Sequence, residues 1–274
     1  MLTNLLSISP RRTFEDNMRP AELLLRVYRL LESRDDRLSR QELVDALRTL
    51  VQAPEDEDLI LIYNEIFLGL VREGAQIPRS TLRRATLCHL LRQSVVASCT
   101  ALETYLPALL RTNLPLLNRA RGRDFVSRGD QAVMDYFKDL KFSLDETLRL
   151  LDDENAPEYI SGKILRLANF KYLSSRKGVH VVGTLLGLTK PWDAIAEHLT
   201  RDKRELMKTL EDTVRRRNDI VHRADRCQDE PDGQAQDITY AWTQQAVDTI
   251  NHVCLALDEL VTARVAELEA MIQA

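Results

Sequence analysis

Apolar residues recur at steps of three and four along most of the chain, and only nine Gly and nine Pro stand among its 274 residues to interrupt them. Ordinary usage would place Gly and Pro at about 12% of positions, so turn and breaker residues are at roughly half their usual supply. That scarcity excludes a turn-rich all-β fold. A doubly wound α/β fold needs β-branched runs alternating with helices, and glycines at the crossovers; neither pattern is present. The chain therefore reads as all-α. Its 44% hydrophobic content is enough to bury a core, which excludes overall disorder.

The formal net charge is −4, so there is no global basic field and any nucleic-acid contact has to come from local patches. Residues 1–10 carry no basic, apolar leader pattern. The most apolar later run, Leu59 to Val71, is broken by Asn64 and Glu65. No membrane partner is expected. The four cysteines, Cys88, Cys99, Cys227 and Cys254, show no metal-ligand spacing and suit core filling in a reducing cytoplasm. The expected location is therefore cytoplasmic, with no metal and no cofactor.

Three helices are expected in residues 1–78. The first starts at Pro20 and carries Leu23, Leu24, Val27, Leu30 and Leu31. The second is opened by a capping box at Ser39 and Glu42, and the third runs from the acidic segment Glu55 to Asp58 to Gly74. They form a small N-terminal module of unknown role, for which docking is the favoured use and DNA reading by a helix-turn-helix the alternative. Residues 79–274 form the main bundle. Its first long helix runs from Pro78 to about Arg111, with Pro107 a possible kink, and a helix from Gln131 carries Val133, Phe137, Leu140, Leu144, Leu148 and Leu151 as one core stripe.

Between these helices, residues 118–130 read as a loop with Arg119, Arg121, Arg123, Arg128 and Phe125, either solvated or a basic finger for phosphate and base stacking. A further helix is expected from Pro157 to Tyr172. Val179 to Val182 is the one β-like stretch, and Pro191 opens a short helix with Trp192, Ile195 and Leu199. His180 and His198 have no evident partner nearby. The last two helices span about 202–226 and 238–274, the second with an acidic outer face.

The densest chemistry lies at Arg215-Arg216-Arg217-Asn218-Asp219-Ile220-Val221-His222-Arg223. On a continuous helix Leu206, Leu210, Val214 and Val221 form a stripe that includes Arg217. An arginine there is costly unless its guanidinium reaches a carboxylate, a phosphate or an aqueous cleft. Asn218, four residues before His222, is placed to orient the imidazole, and Arg215 lies on nearly the same face. Histidine titrates near 6.5 and can take a proton from a ribose 2′-hydroxyl or return one to the leaving 5′-oxygen, while arginine holds the scissile phosphate. Two copies of the motif in a homodimer supply both proton transfers. Arg84 and His89 share the same spacing and read as ordinary helix surface and packing; they lack the asparagine and the surrounding arginines.

The segment Arg217-Asn218-Asp219-Ile220-Val221-His222 resembles the Arg-polar-x3-His signature of the HEPN superfamily. Ala101-Leu102-Glu103-Thr104-Tyr105-Leu106 is similar to the acidic-aromatic segment of the second helix in such domains. The resemblance covers residues about 80–274. It implies an all-α, HEPN-like helical bundle beside the N-terminal module, homodimerisation through the motif helices, and metal-independent endoribonuclease activity in toxin-antitoxin or antiviral systems. By position it assigns Arg217 and His222 as the catalytic pair, Asn218 as their polar companion and Glu103 as a supporting residue. Arg215, Arg216 and Arg223, with Arg119, Arg121 and Arg123, would contact the RNA backbone. Implied partners are RNA, with tRNA a frequent target, and an antitoxin or defence protein. The alternatives are a catalytically silent RNA- or protein-binding scaffold and a DNA-associated regulator using the N-terminal helices.

Overall fold

The computed structural model describes residues 9–32, 84–121, 130–151, 153, 155–167, 173–226 and 233–273. The second and third helices expected in residues 33–78, Arg123, Phe125 and Cys227 lie outside them. Among the described residues there is no strand, and the fold is an all-α bundle. It is built on three long helices: α1 (Pro10–Glu32), α2 (Arg84–Arg121) and α9 (Tyr240–Gln273). The shorter helices are α3 (Gln131–Phe137), α4 (Leu144–Leu150), α5 (Ala156–Leu165), α6 (Arg176–Leu185), α7 (Pro191–His198) and α8 (Lys203–Arg223).

Helix α2 is the spine, and it packs against α1, α9, α5, α8 and α6. It buries residues on several sides, including Leu91, Val95, Leu102, Leu106 and Leu110, as a helix surrounded by others must. It also runs ten residues past the expected end at Arg111, through Pro107 and Pro115, so Asn118, Arg119 and Arg121 are helical rather than part of a loop. The Asn118 side chain is buried and donates to the Pro157 carbonyl at 3.1 Å, which fixes this end against α5.

The first helix begins ten residues before Pro20, which sits exposed inside it. Its buried face is Phe14, Met18, Ala21, Leu25 and Tyr28, spaced four, three, four and three, whereas Leu23 points to solvent. That face joins the core formed with α2 and α9, so the described part of the N-terminal segment packs into the bundle. Ser94 donates to the Ala21 carbonyl at 2.8 Å, and Tyr105 donates to Asp258 Oδ1 at 3.0 Å, tying α2 to α1 and to α9.

The single core helix expected from Gln131 is two helices. Ser143 accepts from the Glu146 N–H while Glu146 accepts from the Ser143 N–H, a capping box that restarts the chain as α4. Leu144, Leu148 and Leu151 consequently face solvent at 74%, 55% and 72% exposure. The β-like stretch is also helical. Ser175 caps α6 by accepting from the Gly178 N–H, and Val179, Val181 and Val182 are buried in the core. Gly178 lets this helix start against its own approach segment, since a Cβ there would stand 1.8 Å from the Leu173 carbonyl oxygen. Tertiary contact overrides the strand preference of the valines.

Pro191 does open α7, and Asp202 caps α8 by accepting from the Glu205 N–H at 2.8 Å. His180 and His198 have partners after all: Asp130 Oδ2 at 2.8 Å and Glu259 Oε2 at 3.0 Å. Both carboxylates are distant in sequence, so local spacing could not reveal them. Among the described residues no helix is long and apolar enough to cross a membrane.

Candidate active site

Helix α8 packs against α2, α9 and α7 through Leu206, Leu210, Thr213 and Ile220. The stripe is therefore rotated from the expected one, and Val221 is 50% exposed. Arg217 still faces α2, where its Nη2 lies 2.5 Å from Glu103 Oε2. Both side chains are mostly covered, at 21% and 28% exposure. This is the carboxylate that a guanidinium on the inner side of α8 requires. Beneath the pair lies Cys99, buried and without a disulfide. Burial pushes its thiol up to about 12 against the opposing pull of Arg217, so the floor under the pair is uncharged.

Asn218 uses its Oδ1 to accept from Arg217 Nη1 at 3.1 Å. It orients the arginine rather than His222, which differs from the expected role. His222 is exposed in the last turn of α8 and has no hydrogen bond or ion pair among the described residues. Arg215 is exposed and pairs with Asp212 at 2.7 Å; Arg223 pairs with Asp219 at 3.2 Å. These side chains and the Glu103–Arg217 pair belong to one end of α8.

Arg216 takes a different part from the RNA contact expected of it. Its guanidinium turns inward to Asp225, with Nη2 2.9 Å from Oδ2 and Nε 2.5 Å from Oδ1, the latter a close charge contact without hydrogen-bond geometry. Nη2 also reaches the Asp237 carbonyl at 2.9 Å, and the group lies over the Trp242 ring. Arg92 of α2 also donates to Asp225 Oδ2 at 2.6 Å and to the Gln236 carbonyl at 2.8 Å. A guanidinium engaged this way is not available to phosphate.

The consequence is a fixed end for the motif helix. Ala224 and Asp225 both adopt left-handed backbone, with φ of 51° and 66°, and the Asp225 N–H donates to the Asp219 carbonyl at 2.9 Å. Two successive non-glycine residues in this region are strained, and the buried carboxylate with its two arginines holds them there. His222 lies three residues before this anchor. Sequence reasoning missed Arg92, Asp225, Gln236 and Trp242, although Arg92 sits among the apolar positions Cys88, Leu91, Val95 and Cys99 and carries the same signal used for Arg217.

Of the remaining expected contacts, Arg119 and Arg121 are not gathered here. Arg119 is ion-paired with Glu158 at the far end of α2, about 24 Å along the axis from Glu103 at about 1.5 Å per residue. Arg121 ends the same helix. Among the described residues no group of three or more His, Cys, Asp or Glu side chains is arranged to hold a metal ion.

The sequence profile of the RiboL-PSP-HEPN family matches residues 57–263, a span that takes in Glu103, the motif of α8 and the Arg92–Asp225–Arg216 cluster. No curated protein and no solved structure matches the chain.

Proposed function

Because the chain belongs to the RiboL-PSP-HEPN family, we propose that it is a metal-independent endoribonuclease with Arg217 and His222 as its catalytic pair. The observation that carries this reading is the Glu103–Arg217 pair at 2.5 Å, with His222 exposed about 1.4 turns further along α8 and without a hydrogen bond or ion pair among the described residues. A guanidinium held at Nη2 by Glu103 and at Nη1 by Asn218 is preorganised for a phosphate. The exposed imidazole can meet a substrate.

In the reaction, the ribose 2′-oxygen attacks phosphorus as His222 accepts its proton. The P–O2′ bond forms and the P–O5′ bond breaks, leaving a 2′,3′-cyclic phosphate and a 5′-hydroxyl. The imidazolium of the second copy protonates the departing 5′-oxygen, and Arg217 stabilises the negative charge that builds on the phosphoryl oxygens. An isologous homodimer joining two α8 helices would bring both histidines to one phosphate, and the half-exposed Val221 beside His222 suits such an interface. Arg215 and Arg223 supply backbone contacts. The protein would act in the cytoplasm as a toxin or antiviral effector, with tRNA the first substrate to try and a partner protein restraining it.

The test is product chemistry. RNA incubated with the purified protein in EDTA should yield fragments ending in 2′,3′-cyclic phosphate and beginning with 5′-hydroxyl. Fragments with 5′-phosphate, or intact RNA at every salt concentration, would overturn the reading; intact RNA that is nonetheless bound would assign the protein as a silent scaffold.

A further inference from the structure

We propose that Arg204 and Lys208 extend the active site into a track along α8 that holds the backbone of the RNA strand on one side of the cut. The inference rests on the ribonuclease reading and specifies its substrate as a strand several nucleotides long. Arg204 lies eighteen residues before His222, five whole turns at 3.6 residues each, and so shares its azimuth on the helix. Lys208 and Arg215 fall within about 40° of the same line. All are exposed.

The acids of α8 are each ion-paired, including Glu211, which falls within about 20° of the same line. Glu205 pairs with Arg201, Glu211 with Arg176, Asp212 with Arg215 and Asp219 with Arg223. Arg204 and Lys208 have no ion pair among the described residues. As like charges four apart on a helix, they also repel each other. Glu205 and the Asp202 cap already supply negative charge in the first turn of α8, so what singles out the two cations is their exposure, their lack of ion pairs among the described residues and their alignment with His222. A polyanion lying along the helix removes that repulsion.

The reach is set by helix geometry. From Arg204 to His222 is about 27 Å of axis at about 1.5 Å per residue, the length of about eight stacked nucleotides at about 3.4 Å each. A two-nucleotide substrate cannot touch Arg204 or Lys208 while its phosphate is at His222. A twelve-nucleotide strand can.

The experiment compares the full-length wild type with Arg204→Gln/Lys208→Gln on a twelve-nucleotide and a two-nucleotide RNA, with Arg12→Gln/Arg26→Gln on α1 as an equal-charge control; the single variants serve if the double variant does not fold. The expected result is a KM at least tenfold higher on the long strand, kcat unchanged, no change on the short one, and a salt dependence of log affinity shallower by about 1.4, from two lost phosphate contacts at about 0.7 each. An unchanged long-strand KM, or a loss matched by the control, overturns the track. If the wild type cuts no RNA, the ribonuclease reading fails separately. Affinity for the twelve-nucleotide strand then decides: a tenfold loss in the double variant alone upholds the track, and equal or absent binding overturns it.

Discussion

Arg92 Nε donates to Asp225 Oδ2 across 2.6 Å, joining the middle helix of the bundle to a carboxylate that has no exposure to solvent. Arg216 closes on the same carboxylate from the motif helix. Removing one partner from a buried charge cluster strands the others, which typically costs about 3–5 kcal/mol. Asp225→Ala should therefore lower the urea unfolding free energy by about that amount. A loss of only a few tenths would mean that the two arginines find other partners and that the helix end is not held by this residue.

Glu103→Ala removes the carboxylate that fixes Arg217. The guanidinium then has freedom to leave its place, and misplacement of about 1 Å in a catalytic group can cost on the order of 100-fold in rate. Cleavage of a short RNA should fall by about ten- to a hundredfold, with fragment ends unchanged in chemistry. A variant that retains the full rate would show that Arg217 is positioned without Glu103.

Gly178→Ala separates helix propensity from packing. Alanine in a helix interior is favoured over glycine by about 1 kcal/mol, yet a Cβ at this position would stand 1.8 Å from the Leu173 carbonyl oxygen, which is backbone and cannot swing aside. The expected outcome is destabilisation by about 1–3 kcal/mol, the usual range for an overpacked site. A rise in the urea midpoint would contradict the close approach that lets α6 form.

Glu146 gathers Lys163 at 2.6 Å, the Tyr159 hydroxyl at 2.5 Å and the Ser143 N–H at 2.7 Å, linking α4 to α5. The Lys163 hydrogen bond, followed by those of Tyr159 and Ser143, lowers its carboxyl from the ordinary 4.5 to about 2. A lowered native value means that this stability is fully present above about pH 4.5 and is lost as pH falls toward about 2. Thermal unfolding of wild type and Glu146→Gln should differ most at neutral pH and converge on acidification below about 4.5. Parallel curves over that range would refute the link.

What could be read from residues alone was whatever neighbours in sequence decide. Pro191 announced α7 because a fixed φ acts within one turn. Ser143 and Glu146 carried an equally local signal for α4, but an apolar stripe spanning Val133 to Leu151 masked it. Val179 to Val182 misled because burial in the core outweighs β-branched preference. In α8 the inner face ran through Ile220 rather than Val221, since successive steps of four carry a stripe about 40° round the helix each time, whereas Leu206, Leu210, Thr213, Arg217 and Ile220 alternate steps of four and three. Glu103 and Arg217 were legible as a candidate pair only through family resemblance. Asp225 was illegible because its partner Arg92 is 133 residues away and neither residue advertises the other.

The most direct test of the proposed chemistry is the single-turnover rate of RNA cleavage in EDTA for wild type and His222→Ala, each checked for an unchanged unfolding midpoint. His222 is exposed, so its removal should leave the fold intact. Loss of general acid–base catalysis predicts a rate lower by about 10²–10⁴-fold. Equal rates for the two proteins would contradict the assignment of His222 and with it the proposed active site.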